Sequence, residues 1–177
     1  MFDLIHSAWG AAHTAAAVIA LILGPVLFLR VKGDKPHRQF GYAYVAAMLV
    51  VCLAGLPMRG FMGTISPFHV LAIVSLVTVT AGLIAAIVSA RSRGGRDGML
   101  YAHMKFMAWS YIGLVAAGLA QFGSRVAAGY GLGGFEIGVS IAVVSLATCF
   151  AGATLVNLNA KSLAARYAPN AAQTGGA

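Results

Sequence analysis

Five runs of about twenty mostly apolar residues, each closed by polar or glycine-rich residues, decide what this chain can become. A run of that length crosses the ~30 Å hydrocarbon core of a bilayer as a helix, at about 1.5 Å per residue. In lipid, only helices and closed barrels satisfy their own backbone polar groups. With 60% of its residues hydrophobic and 9% charged, the chain has little from which to build a soluble domain. The expectation is an all-α, polytopic membrane helical bundle of about five transmembrane helices. It forms one unit over residues 1–167, and a tail of Ala, Asn, Gln and Gly at 168–177 is expected to be mobile.

The stretch from Arg30 to Tyr42 divides the first two runs and carries Arg30, Lys32, Asp34, Lys35 and Arg38. It also holds the start signal of the next helix. Asp34 suits a cap, and Pro36 suits a first turn that has no use for its N–H. Spans are expected over about Ala8–Leu29, His37–Pro57, Pro67–Ala90, Met104–Arg125 and Glu136–Asn159. Asp97 is a candidate cap for the fourth helix, and the glycine-rich segment 128–134 is the loop before the fifth. Gly24-Pro25 lies near the inner end of the first helix, where a kink is tolerable if a neighbouring helix satisfies the freed carbonyl.

Ten of the twelve Lys and Arg residues fall on one side of this layout: Arg30, Lys32, Lys35, Arg38, Arg91, Arg93, Arg96, Lys105, Lys161 and Arg166. Only Arg59 and Arg125 fall on the other. The positive-inside rule then puts the N-terminus outside and the C-terminus in the cytoplasm of a multi-pass protein. The lead Met1–Ser7 carries no cation, which is the wrong start for a cleavable signal peptide. A formal charge of +8 in a soluble chain would suggest nucleic acid. Here the cations flank hydrophobic runs and imply contact with the lipid bilayer, and with anionic lipids at the cytoplasmic face, rather than with nucleic acid.

Small residues stand four apart at Ala12 and Ala16, Ala43 and Ala47, Gly113 and Ala117, and Gly138 and Ala142, a spacing that lets helices approach closely in lipid. Cys52 and Cys149 fall at different depths, and packing suits them better than a disulfide. No carboxylate pair can be assembled within the membrane for hydrolysis, and the glycines at 129–134 lack the lysine of a nucleotide loop. Met58, Met62, Met99, Met104 and Met107 near histidines could bind copper, although methionine in a bundle usually packs.

The histidines form two levels. His13 and His69 lie near the outer ends of helices 1 and 3, and His37 and His103 at the inner ends of helices 2 and 4. One histidine per helix on four helices is how a bundle would hold two bis-histidine haems stacked across a membrane. An ionisable group inside a span is itself a reason to suspect function at His13. For His37 and His103 the basic neighbours offer a plain interfacial role as well.

The runs Pro36-His37-Arg38-Gln39-Phe40-Gly41 and Ser66-Pro67-Phe68-His69-Val70 resemble helix starts in the ascorbate-reducible di-haem cytochromes b. That resemblance implies haem b ligated by His13 with His69 and by His37 with His103. The chain departs from it in having five spans rather than six and in lacking an ascorbate site. More specifically, His13 to Arg125 is similar to a family of small bacterial inner-membrane proteins known only as a domain of unknown function. Shared elements are His37-Arg38 with Gly41, Phe68-His69 and His103-Met104. This resemblance implies an inner-membrane location and brings no activity with it. Two functions follow as expectations. One is a b-type haem protein passing electrons across the membrane, with Arg59, Arg125, Lys35, Arg38 or Lys105 near the propionates. The other is a non-catalytic accessory or assembly protein with interfacial histidines.

Overall fold

In the computed structural model the described residues are 8–57, 66–91 and 96–165, with side chains omitted at 96–97 and 160–165. They form five helices and no strand: α1 (Ala8–Leu29), α2 (Lys35–Gly55), α3 (Pro67–Arg91), α4 (Arg96–Gly129) and α5 (Gly134–Ala165). All five are long and apolar enough to cross a membrane. The lead at 1–7, Arg59, Met58, Met62, residues 92–95, Arg166 and the tail lie outside the described residues.

Local chemistry fixes the joint between α1 and α2 at both ends. Asp34 is the N-cap of α2, its Oδ1 accepting from the His37 N–H at 2.6 Å, and Pro36 sits in the first turn. That bond, with Arg30 beside the carboxylate, holds Asp34 below the ordinary carboxylate range. Lys32 folds back and donates its ammonium protons to the carbonyls of Leu27 and Phe28 (3.1 Å to the latter), closing the last turn of α1.

Pro25 sits inside α1, where it can donate nothing to the carbonyl of Leu21. Tyr111 of α4 supplies the missing donor: its hydroxyl reaches Leu21 O at 3.3 Å. The ring gets there because Gly24 has no side chain. A Cβ at Gly24 would lie 2.2 Å from Tyr111 Cε2. The condition set for tolerating Gly24-Pro25 is therefore met by a named neighbour. At the far end of α4 the chain reverses through Gly131, whose φ of +75° suits glycine. The bonds Leu132 N–H to Ala127 O (3.2 Å) and Gly131 N–H to Ala128 O (3.0 Å) make this a Schellman cap.

The helices pack in a ring. α1 lies on α2, α2 on α3, α3 on α4, and α4 closes back on α1, so α1 faces α3 and α2 faces α4 across two diagonals without close backbone approach. α5 lies outside this ring, against α4 and the edge of α3. Tyr44, Met48, Cys52, Val79, Ala20 and Leu114 fill the middle, and Tyr44 is only 2% exposed. The hydroxyls of Tyr44 and Ser110 meet at 3.0 Å and bridge the α2–α4 diagonal. Cys52 belongs to this core and Cys149 is half-buried on α5, both as free thiols.

Several boundaries differ from those expected. α2 begins at Lys35, two residues before His37, because the Asp34 cap sets the start and leaves Lys35 and Pro36 in the first turn. α4 begins at Arg96, one residue before Asp97, and runs to Gly129. α5 continues to Ala165, six residues past Asn159. Hydropathy marks where lipid ends, whereas the backbone ladder continues through residues such as Lys161, Ser162 and Leu163 that are sound helix formers in a polar setting. The small-residue pairs are half buried: Ala16, Ala47 and Gly113 are covered, and Ala12, Ala43 and Ala142 face outward.

Candidate functional site

Each histidine expected to carry function is half-buried. His13 projects from α1 toward α2, where its Nδ1–H donates to Val51 O at 2.9 Å. A carbonyl only accepts, so the proton sits on Nδ1 and the Nε2 lone pair is left over. The ring fits beside Gly55, whose missing Cβ would stand 3.3 Å from it.

His103 repeats the arrangement at the basic end. Its Nδ1–H donates to Gly82 O of α3 at 2.8 Å, which again leaves Nε2 as an acceptor. α4 packs tightly on Gly82, since a Cβ there would lie 2.7 Å from Met107 Sδ. Two histidines on different helices are thus anchored through Nδ1 to the carbonyl of the next helix in the ring. Such anchoring is the usual way a protein orients an imidazole ligand.

His37 stands in the first turn of α2, half-buried rather than exposed as its basic neighbours suggested. Its Nδ1 is buried and has no hydrogen-bond partner among the described residues. His37 lies within electrostatic reach of His103, Lys32, Asp34 and Arg30. The structure therefore gathers His37, His103 and Lys32 at the basic end of the α2–α4 diagonal.

His69 is different. It is the third residue of α3, and its Nδ1 accepts from the Ser66 N–H at 3.1 Å and meets Ser66 Oγ at 2.9 Å. The Ser66 carbonyl in turn accepts from the His69 N–H at 2.9 Å. The histidine thus supplies the side-chain half of a capping box, in the place usually held by Glu or Gln, while the serine answers with its backbone rather than its hydroxyl. A backbone N–H can only donate, so in the neutral ring the proton is on Nε2, the opposite tautomer from His13 and His103. His13 and His69 occupy facing helices and have separate hydrogen-bond partners.

A family model described as "Predicted membrane protein (DUF2306)" matches residues 10–160. The chain belongs to the DUF2306 family. The match takes in His13, His37, His69 and His103 and the five helices from Gly10 of α1 down to the last turns of α5. Comparison with curated proteins and with solved structures gives no match. The likeness to di-haem cytochromes b accordingly rests on the quoted residues alone.

The other residues singled out in this DUF2306 chain divide between the two ends. Lys35 and Arg38 are exposed, and Lys105 lies 5.1 Å from the centre of the Tyr101 ring. Arg125, on the opposite side, has a buried Nε without a hydrogen-bond partner among the described residues. Met104 is buried and Met107 packs on Gly82, which uses both in helix contacts. No group of three or more His, Cys, Asp or Glu side chains is placed to hold a metal ion among the described residues. A bis-histidine haem needs only two, and places its iron between rings that need not touch.

Three features escaped the sequence reading. Lys32 as the closing residue of α1 had a signal, a lysine just past an apolar helix end. The Ser66 and His69 contact had a weak one, a serine three residues ahead of a side chain that can accept. The bridge between Tyr44 and Ser110 had none, since it depends on two helices 66 residues apart meeting at one depth.

Proposed function

We propose that this protein is a bacterial inner-membrane electron carrier that binds b-type haem between histidines on facing helices, with His37 and His103 as its principal site. The observation that carries the reading is the ring order of the helices. It puts α2, which carries His37, opposite α4, which carries His103, and α1, with His13, opposite α3, with His69. At the basic end the pair suits axial ligation: His103 is oriented through Nδ1 with Nε2 available, and the buried Nδ1 of His37 has no partner among the described residues.

Haem would supply one-electron chemistry, and the protein's part is to orient two imidazoles, exclude water and balance charge. Lys35, Arg38 and Lys105 lie at the basic end, where carboxylates of a bound group would find cations. The opposite end is less prepared. His69 would have to release Ser66 before its Nε2 could present a lone pair. The same bond favours a second reading, in which the histidines are structural and the protein is a non-catalytic accessory or assembly subunit. By the positive-inside rule the basic end faces the cytoplasm, in contact with anionic lipid.

Absorption spectra of the purified protein, oxidised and then dithionite-reduced, test the proposal. Wild-type protein expressed with ample haem should show a Soret band and reduced α band. His37→Ala and His103→Ala should remove the same spectral component. His13→Ala and His69→Ala should share a second loss if the opposite end also binds haem. The absence of both a Soret band and iron would refute the haem reading and leave the accessory one.

A further inference from the structure

The last turn of α1 and the residues that follow it, 26–32, lie between two places where the backbone can turn. On one side Pro25 leaves Leu21 O without a helical donor, and Gly24 precedes it, a combination that bends helices. Pro25 is exposed, so no neighbour wedges it in place. On the other side Gly33 has a φ of +85°, and a Cβ there would meet nothing within 4 Å. Between these points the chain is bonded to itself. The Arg30 N–H donates to Val26 O at 3.1 Å, and the Lys32 ammonium donates to the carbonyls of Leu27 and Phe28 while lying 5.8 Å from the centre of the Phe28 ring.

One side chain holds both sides of the Pro25 break. The Tyr111 hydroxyl donates to Leu21 O ahead of it, the ring lies over Gly24, and the ring edge meets Phe28 beyond it, with centroids 5.6 Å apart at 69°. α1 touches α4 only slightly, and these three contacts belong to that seam. The holds on the other flank are lighter. Arg30 makes a 3.5 Å contact with Asp34 and lies 5.6 Å from the centre of the Phe40 ring, and an ion pair so long and so accessible is weak. Leu27 packs at the edge of the central core.

The same piece carries charge toward the histidines. Lys32 is buried and within electrostatic reach of both His37 and His103, and Arg30 is within reach of His37. Because the Lys32 ammonium is bonded to the carbonyls of its own segment, it travels with that segment.

We infer that residues 26–32 form a hinged strap that pivots at Gly24-Pro25 and Gly33, is latched by Tyr111, and draws Lys32 away from His37 and His103 when it opens. The strap is defined by its own contacts and operates whether or not the two imidazoles hold haem. The arm from Pro25 to Val31 is about 9 Å, so a pivot of about 20° moves its tip about 3 Å. Opening leaves the remainder of α1 on α2 and changes the number of positive charges beside the two imidazoles.

Distance measurement by double electron–electron resonance on the full chain in lipid nanodiscs tests this. Cys52→Ala and Cys149→Ala remove the native thiols, and nitroxides are placed through Val31→Cys on the strap and Val88→Cys on α3, both exposed positions. Ile19→Cys with Val77→Cys, also exposed, gives a reference pair ahead of the pivot. With Tyr111 present the strap pair should show one dominant distance. Tyr111→Phe loses one hydrogen bond between helices and should raise a second population, shifted by about 3 Å or more, about threefold. Tyr111→Ala should raise it further, and adding Pro25→Ala should abolish it, because the restored N–H bonds Leu21 O and stiffens the pivot. The reference pair should not change in any of these variants. An unaltered strap distance in Tyr111→Ala would overturn the latch, and a second population that survives Pro25→Ala would overturn the pivot. Equal broadening of the reference pair would show general loosening of the bundle in place of a strap. Should Tyr111→Ala not fold, Tyr111→Phe with and without Pro25→Ala gives the same comparison.

Discussion

Replacing Gly24 by alanine sets two effects of opposite sign against each other. In an ordinary helix the change stabilises by about 0.5–1 kcal/mol, because glycine loses more backbone freedom on folding. Here the new Cβ would stand 2.2 Å from Tyr111 Cε2. Ordinary carbon contact is about 3.5 Å, so the ring and the helix must separate by about 1.3 Å (3.5 minus 2.2). Overpacking of that kind costs about 1–3 kcal/mol. The displaced hydroxyl also leaves Leu21 O, to which it bonds at 3.3 Å and which Pro25 has deprived of a helical donor. Hydrogen bonds between membrane helices are worth about 0.6 kcal/mol on average and at most about 1.7. The sum is a net loss of about 1–3 kcal/mol for Gly24→Ala, with Tyr111→Phe losing only about 0.5–1 kcal/mol because the ring still packs. Unfolding by sodium dodecyl sulfate in mixed micelles, followed by circular dichroism, reads both. In Gly24→Ala/Tyr111→Ala the clash is gone, so the two losses should combine to less than their sum. A stabilised Gly24→Ala, or strictly additive losses, would show that the ring does not lie over Gly24.

Further expectations concern other seams of the molecule. Gly113→Leu should lower the unfolding midpoint by the equivalent of about 1–3 kcal/mol, since even a Cβ there would lie 2.5 Å from Ser75 Oγ on α3; an unchanged midpoint in the same micelle assay would mean that this seam is loose. The Asp34 carboxyl is held below its ordinary range by the His37 N–H, so its capping contribution is complete above the unfolded value and is lost as pH falls through the lower folded one. Thermal melts in detergent should therefore show an acid limb that Asp34→Asn flattens, because asparagine caps without titrating. A reporter fused after Ala177 should be cytoplasmic, one inserted at Gly131 should be periplasmic, and a cysteine at Gly95 should resist membrane-impermeant reagents applied from outside.

How far the sequence revealed the molecule depended on whether a feature was local. The inner end of α1 was read to its last residue because polarity changes sharply after Leu29. The Asp34 cap was also legible, being a matter of four consecutive residues. The reach of α4 to Arg96 and of α5 to Ala165 was not, because both extensions lie in polar sequence that hydropathy treats as loop. At the candidate site, helix position alone gave the four histidines and their two levels. Their bonding was hidden: that His13 meets Val51 O and His103 meets Gly82 O follows from which helices are neighbours, which no stretch of sequence states. For the same reason the four-apart spacing identified a shared helix face but not the length of its contact, so Ala16 is buried and Ala12 is not.

The mid-depth bridge between Tyr44 and Ser110 divides the bundle into two insulated halves. Met48 and Val79 are fully covered beside it, so side chains fill this layer of the four-helix interior. A hydrated ion or a solute would have to part Tyr44 from Ser110 and displace Met48 and Val79 to pass at this depth, whereas an electron needs no such opening.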